Sequence, residues 1–319
     1  MANLVRKQFA ETMLEIGLKD PKLVVLLGDI GHFAMQPFAQ ACPGRFYNIG
    51  ICEPTIVGMA AGLSKMGFHV VAHTIAPFLV ERSFEQIKLD FCYQKLGGNL
   101  VTVGSAFDYA NLGCTHHCYN DAALLKTLPG AQCTYPAAAL EFDALFRQSY
   151  DNNHLTLFRV PAFEHDCSFS REMIQFGRGI KVTDGENLTI VVTGPQLKNA
   201  IAARDALGTI GWKVEIIYIH TLLPLDVEMI RASVAKTKHV LTVEEHVFSG
   251  GLGADVLSAV KDIADVRFAA LCIPNDFIRD YGSYEDHCQR LGLSREGIIQ
   301  KVKTQMNISA AEYQLSINR

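Results

Sequence analysis

Short apolar runs that alternate with helix-like stretches, twice over, restrict this chain more than any other feature. KLVVLLGDI (22–30), HVVAHTI (69–75), LVTVGSA (100–106) and LTLFRV (155–160) read as strands. A helix over 51–67, with Pro54 in its first turn, and further helices over 78–96 and 137–151 fall between them. A second series follows: LTIVVTG (188–194), KVEIIYI (213–219), HVLTVEE (239–245) and VRFAALCI (266–273), with helices expected over 196–210, 225–235 and 251–263. Strands apolar on both faces need helices on both sides, which is the construction of a covered parallel sheet. The 319 residues are about twice the usual length of one domain. Two open α/β domains therefore fit better than one closed barrel, with domains at 1–165 and 188–319 and a linker and domain entrance over 166–187.

Composition removes several classes of function. With 49% apolar and only 19% charged residues, the chain suits neither a disordered segment nor a coiled-coil rod. A formal net charge of −4 provides no broad cationic field for nucleic acid. No apolar run is long enough to span a membrane, and no signal-peptide pattern opens the sequence. The nine cysteines are scattered and odd in number, as expected of reduced thiols in a cytoplasmic protein.

Two places carry chemistry. Glu53 stands where a loop enters an otherwise apolar helix. It reads either as an exposed carboxylate at the positive helix end or as a buried carboxyl group that hydrogen-bonds a heterocycle. The second place is Gly113-Cys114-Thr115-His116-His117-Cys118-Tyr119-Asn120-Asp121. Its compact His/Cys spacing is not that of a structural zinc site, and no HExxH motif occurs, so no metal ligand is expected in this chain. A loop aiming His116 into a cleft is the more informative reading, because imidazole moves protons near neutrality and binds hydroxyl or carbonyl oxygens. The glycines of a dinucleotide fingerprint, a Walker motif and a G-x-S-x-G elbow are all missing. Gly250-Gly251-Leu252-Gly253 reads as a tight strand-to-helix connection or as an anion site.

Taken together, these segments resemble the C-terminal part of transketolase-like thiamine-diphosphate enzymes. RFYNIGICE (45–53) is similar to the family's RFxNxGIAE segment, with Cys52 and Pro54 as departures and Glu53 retained. HTIAPFLVERSFEQI (73–87) resembles the stretch lining the pyrimidine pocket, which implies Ile75 and Phe78 as cofactor contacts. GCTHHCYND resembles the substrate loop: His116 matches its principal histidine, and His117 replaces a usual glutamine. TLLPLD, EEHVFSGGLG, IPNDFIRDYGS and GLSREGIIQKV follow in the family's order, so the likeness spans residues 4–303. The implied fold is a thiamine-enzyme pyrimidine-binding domain plus a smaller transketolase C-terminal α/β domain.

The resemblance also implies the chemistry. Glu53 would hydrogen-bond the pyrimidine ring nitrogen of thiamine diphosphate, Phe78 would stack on that ring, and His116, aided by His117, would meet the reacting oxygen or a donor hydroxyl. His73 is a further substrate-side expectation. Arg159 reads either as an anion reader at a sugar terminus or as a brace in a salt bridge. Arg82 matches an arginine of related small subunits, where packing between subunits is the expectation. The family's GDG-to-Asn motif is missing, so the diphosphate and Mg²⁺ are expected on an N-terminal partner subunit, in an α2β2 assembly. Leu112 and Gly104 replace a usual aspartate and histidine, which implies altered specificity, such as a modified ketose donor. A 2-oxoacid dehydrogenase E1 β subunit and a noncatalytic scaffold are the competing readings.

Overall fold

The computed structural model describes residues 4–305, so the outer ends of both expected domains lie outside the described residues. Twelve strands form two sheets. In chain order they are β1 (Leu23–Leu27), β2 (Phe46–Asn48), β3 (His69–Ile75), β4 (Gly98–Val103), β5 (Gln132–Thr134) and β6 (Leu155–Val160). The series continues with β7 (Ile180–Thr183), β8 (Leu188–Val192), β9 (Val214–Tyr218), β10 (Thr221–Leu223), β11 (His239–Val247) and β12 (Arg267–Ile273). The first sheet runs β10-β5-β6-β4-β3-β1-β2 and the second β12-β11-β8-β9-β7. Neighbours are parallel except β10 on β5 and β7 on β9. Every residue of β1, β4, β6, β8 and β9 is buried, the two-sided burial that their unbroken apolar runs require.

On one face of the first sheet lie the helices Leu4–Gly17 and Ala139–Ser149, where Phe9 meets Phe142 edge-on at 5.7 Å. The helix Glu53–Lys65 covers the other face through Ile56, Val57, Ala60 and Ala61. Successive residues of β3 point to opposite faces, so Val70 and Ala72 meet this helix, whereas Val71 and Ile75 face the N-terminal one.

The expected connector 166–187 is partly sheet, because β7 begins at Ile180 and pairs with β9. The expected helix over 78–96 is split into a wide π-type turn, Pro77–Glu81, a short α turn, Phe84–Gln86, and a second π-type stretch, Ile87–Tyr93. In the first turn the Arg82 amide donates to the Pro77 carbonyl, five residues back, at 3.1 Å. Such widened turns re-aim side chains and gather at functional sites. This one carries Phe78, Glu81 and Arg82.

The two halves share a buried polar seam. Glu245 of β11 accepts from Tyr135 Oη at 2.7 Å, from Gln196 Nε2 at 2.8 Å and from the Tyr284 hydroxyl. Strand β10 leaves the second half to extend the first sheet, with Thr221 opposite Thr134 and Leu223 opposite Cys133.

Candidate active site

Glu53 opens its helix, with Pro54 supplying the preset first-turn geometry. Its side chain is only 1% exposed, so the exposed helix-end reading gives way to the buried one. Oε2 accepts from Arg82 Nη1 at 2.7 Å. Oε1 is buried with no hydrogen-bond partner among the described residues. An orphaned acceptor of this kind costs free energy unless a partner arrives.

The widened turn brings Phe78 alongside. The Arg82 guanidinium carbon lies 4.4 Å from the Phe78 ring centroid. On the 113–121 loop, His116 meets Phe78 edge-on at 5.2 Å and Tyr109 edge-on at 5.8 Å, and its Nδ1 is 2.9 Å from the Thr115 hydroxyl. A buried carboxylate, the Arg82 guanidinium, a half-exposed aromatic ring and a half-exposed imidazole thus form one row, each touching the next. The residues that could hold an aminopyrimidine are present: a free buried acceptor for its edge and a phenyl face for its plane.

Beside the loop, a cavity of about 360 Å³ is lined by Glu81, His117, Asn120, Val247, Asn275 and Asp276, among others. Burial, then Asp121, pushes the Glu81 carboxyl above its ordinary pKa. His117 is 4% exposed and stands 5.9 Å from His287, edge-on. Burial and the neighbouring His287 press its pKa down to about 4, so it is a neutral imidazole at pH 7.

The sequence model of the transketolase pyrimidine binding domain matches residues 3–162, and that of the transketolase C-terminal domain matches 177–298. The chain belongs to the transketolase family. It is 31% identical over 296 residues to one of the subunits of an apulose-4-phosphate transketolase from Phocaeicola vulgatus, covering 92% of this chain and 94% of that protein. A 6-deoxy-6-sulfo-D-fructose transketolase subunit of Clostridium sp. is 26% identical, covering 92% of each. A solved split-gene transketolase, described as an inactive β4 tetramer, superposes with a TM-score of 0.85 at 27% identity, covering 95% of this chain and 98% of that one.

Not every residue expected at a transketolase site joins the row. Arg159 is 1% exposed and fully engaged: Nε donates to Asp121 Oδ2 at 2.7 Å, and the guanidinium lies over Tyr135 at 4.2 Å. Burial opposes its charge, but Asp121 prevails and raises its pKa. These contacts match the bracing alternative for Arg159. His73 also stands away from the row, at a separate cavity of about 470 Å³ that it lines with Phe9 and Met35. It lies on the face opposite the Glu53 helix, 4.6 Å from Phe9, and its Nδ1 is 2.8 Å from the Val101 carbonyl. Ile75 ends the same strand, half-buried and packed against that same core.

Three further residues complete the picture. Arg82, matched in the sequence but expected in subunit packing, is the direct partner of Glu53. Gly104 has φ +76°, and a Cβ there would stand 2.1 Å from the Tyr109 ring, so Tyr109 occupies the space a histidine would need. Leu112 is exposed, an apolar side chain on the surface where the resemblance implied a usual aspartate. The GGLG loop holds no free anion site. Its Leu252 and Gly253 amides donate to Glu244 at 2.6 and 2.7 Å.

Proposed function

We propose that this chain is the C-terminal subunit of a split thiamine-diphosphate-dependent transketolase, which moves a two-carbon ketol unit from a ketose to an aldose. The observation that carries the proposal is the chain of contacts from Glu53 through Arg82 to Phe78 and His116, with Oε1 of Glu53 buried and unpartnered among the described residues. Thiamine diphosphate, when bound, supplies the nucleophilic carbon that cleaves and re-forms a carbon–carbon bond. Glu53 shares a hydrogen bond with the ring nitrogen of the pyrimidine, and Phe78 fixes its plane and limits water. His116 meets the reacting oxygen and relays its proton. His117, neutral and buried, backs the loop, and the carboxylates and amides of the adjoining cavity suit sugar hydroxyls.

No diphosphate or Mg²⁺ site is assigned to this chain. Both belong to an N-terminal partner subunit, and two copies of each subunit would make an α2β2 complex with each cofactor between complementary halves. Self-association without activity, as in the inactive tetramer of the solved relative, accords with that reading. Donor specificity departs from the common sugar phosphates, because Leu112 and Gly104 remove two polar contacts.

The test is reconstitution. The chain is combined with a candidate diphosphate-binding partner subunit, thiamine diphosphate and Mg²⁺, and assayed against a panel of ketose donors that includes sulfonated, phosphorylated and unsubstituted sugars. Ketol transfer by the pair and by neither half alone is the expected result. A pair that binds thiamine diphosphate but transfers no ketol unit, or one that decarboxylates a 2-oxoacid, would remove the proposal.

A further inference from the structure

The two features that make this a pyrimidine site are a carboxylate and an aromatic face, and one side chain of the protein already engages both. Arg82 Nη1 bonds Glu53 at 2.7 Å while its guanidinium carbon lies 4.4 Å from the Phe78 centroid. A guanidinium is flat and delocalised, with N–H donors on its edge and a π-compatible face. An aminopyrimidine that carries a proton on its ring nitrogen has the same two attributes. We propose that Arg82 is a place-holder for the cofactor's aminopyrimidine: it fills that ring's seat until the cofactor binds and must swing out for the cofactor to enter. The inference rests on the thiamine-site reading above.

The geometry decides which partner moves. A second flat group that bonds Glu53 and lies on the same face of Phe78 needs the volume the guanidinium occupies, so the two cannot be seated together. Glu53 is 1% exposed and fixed in the first turn of its helix, whereas Arg82 is 44% exposed on a flexible stem at the end of the widened turn. Arg82 therefore has solvent to move into, and Glu53 has none. In the empty protein the ion pair spares the cost of a buried carboxylate without a cation. The cofactor must displace that internal partner, so its apparent affinity is its intrinsic affinity reduced by the fraction of molecules in which Arg82 is already out. An Arg82 seated in about 90% of empty sites weakens binding about tenfold.

The experiment uses the complete reconstituted complex and measures thiamine diphosphate binding by calorimetry, with thermal unfolding in the presence and absence of cofactor. Arg82→Met keeps the apolar stem and removes the plane and the charge. The expected result is a Kd about tenfold lower than wild type, with a wider gap between the unfolding temperatures of empty and loaded complex. Arg82→Lys, which keeps the cation but not the plane, should fall between the two and serves if the methionine variant does not fold. A Kd that is unchanged or higher in both variants overturns the proposal. Glu53→Gln separates the two possible failures. If it weakens binding while the Arg82 variants change nothing, only the place-holder role falls. If Glu53→Gln binds as wild type does, the site assignment itself falls and takes the proposal with it.

Discussion

Arg159→Met removes the positive half of an ion pair whose members are 1% and 0% exposed and 2.7 Å apart. The Asp121 carboxylate then stays buried without its cation, a change that costs about 3–5 kcal/mol. The stacking of the guanidinium on Tyr135 at 4.2 Å is lost as well, which favours the upper end of that range. Against a total stability of about 5–15 kcal/mol, this is a large share. Urea unfolding at pH 7, followed by circular dichroism, should show a clear fall in midpoint with an unchanged slope. Arg159→Met combined with Asp121→Leu should recover most of the loss, because the penalty comes from the orphaned charge rather than from a missing attraction. A single variant within about 1 kcal/mol of wild type would refute the argument. A fully stable variant that lost its discrimination between sulfonated and unsubstituted ketoses would return Arg159 to the substrate.

Glu53→Gln should lower turnover of the reconstituted complex about 10²-fold or more while sedimentation shows intact assembly; near-normal turnover would remove Glu53 from the chemistry. His73 is held near a pKa of about 4 by burial, against about 6.5 unfolded. Between those values only the unfolded chain takes up the proton, so His73 withdraws stability as pH falls from about 6.5 toward 4. His73→Leu should therefore lose about 2 kcal/mol less stability than wild type between pH 7.5 and pH 5, and equal losses in urea titrations would contradict the burial argument. Gly104→His should cost about 2–4 kcal/mol through its left-handed backbone and the Tyr109 clash, and should confer no gain with sugar phosphates. A stable variant with new sugar-phosphate activity would show that Tyr109 yields.

The long strands were legible because Leu23–Leu27, Leu155–Val160 and Leu188–Val192 are apolar on both faces, a pattern that few other structures tolerate. Strands β2, β5 and β10 have three residues each, too few for any period to show, and exist through their neighbours. The N-terminal helix Leu4–Gly17 also drew no expectation, although Val5, Phe9, Met13 and Ile16 recur at helical spacing and are buried. At the site, motif spacing pointed to Glu53, Phe78 and His116, because each stands in a distinctive local string. It could not tell a ligand arginine from a structural one. Arg159 and Arg82 both sit in family-like segments, yet their carboxylate partners are 38 and 29 residues away. That choice is made by tertiary packing.

Strand β10 ties the two halves together in a way that domain diagrams would hide. Thr221–Leu223 comes from the second half of the chain but forms the outermost ribbon of the first sheet, and the Tyr135 amide is anchored on the His220 carbonyl at 2.8 Å. Excising the front module alone would strip that ribbon and bare the β5 edge, which invites edge-to-edge aggregation. The molecule is laced rather than hinged at its waist, so any engineered graft of this thiamine half must carry the 221–223 stitch along.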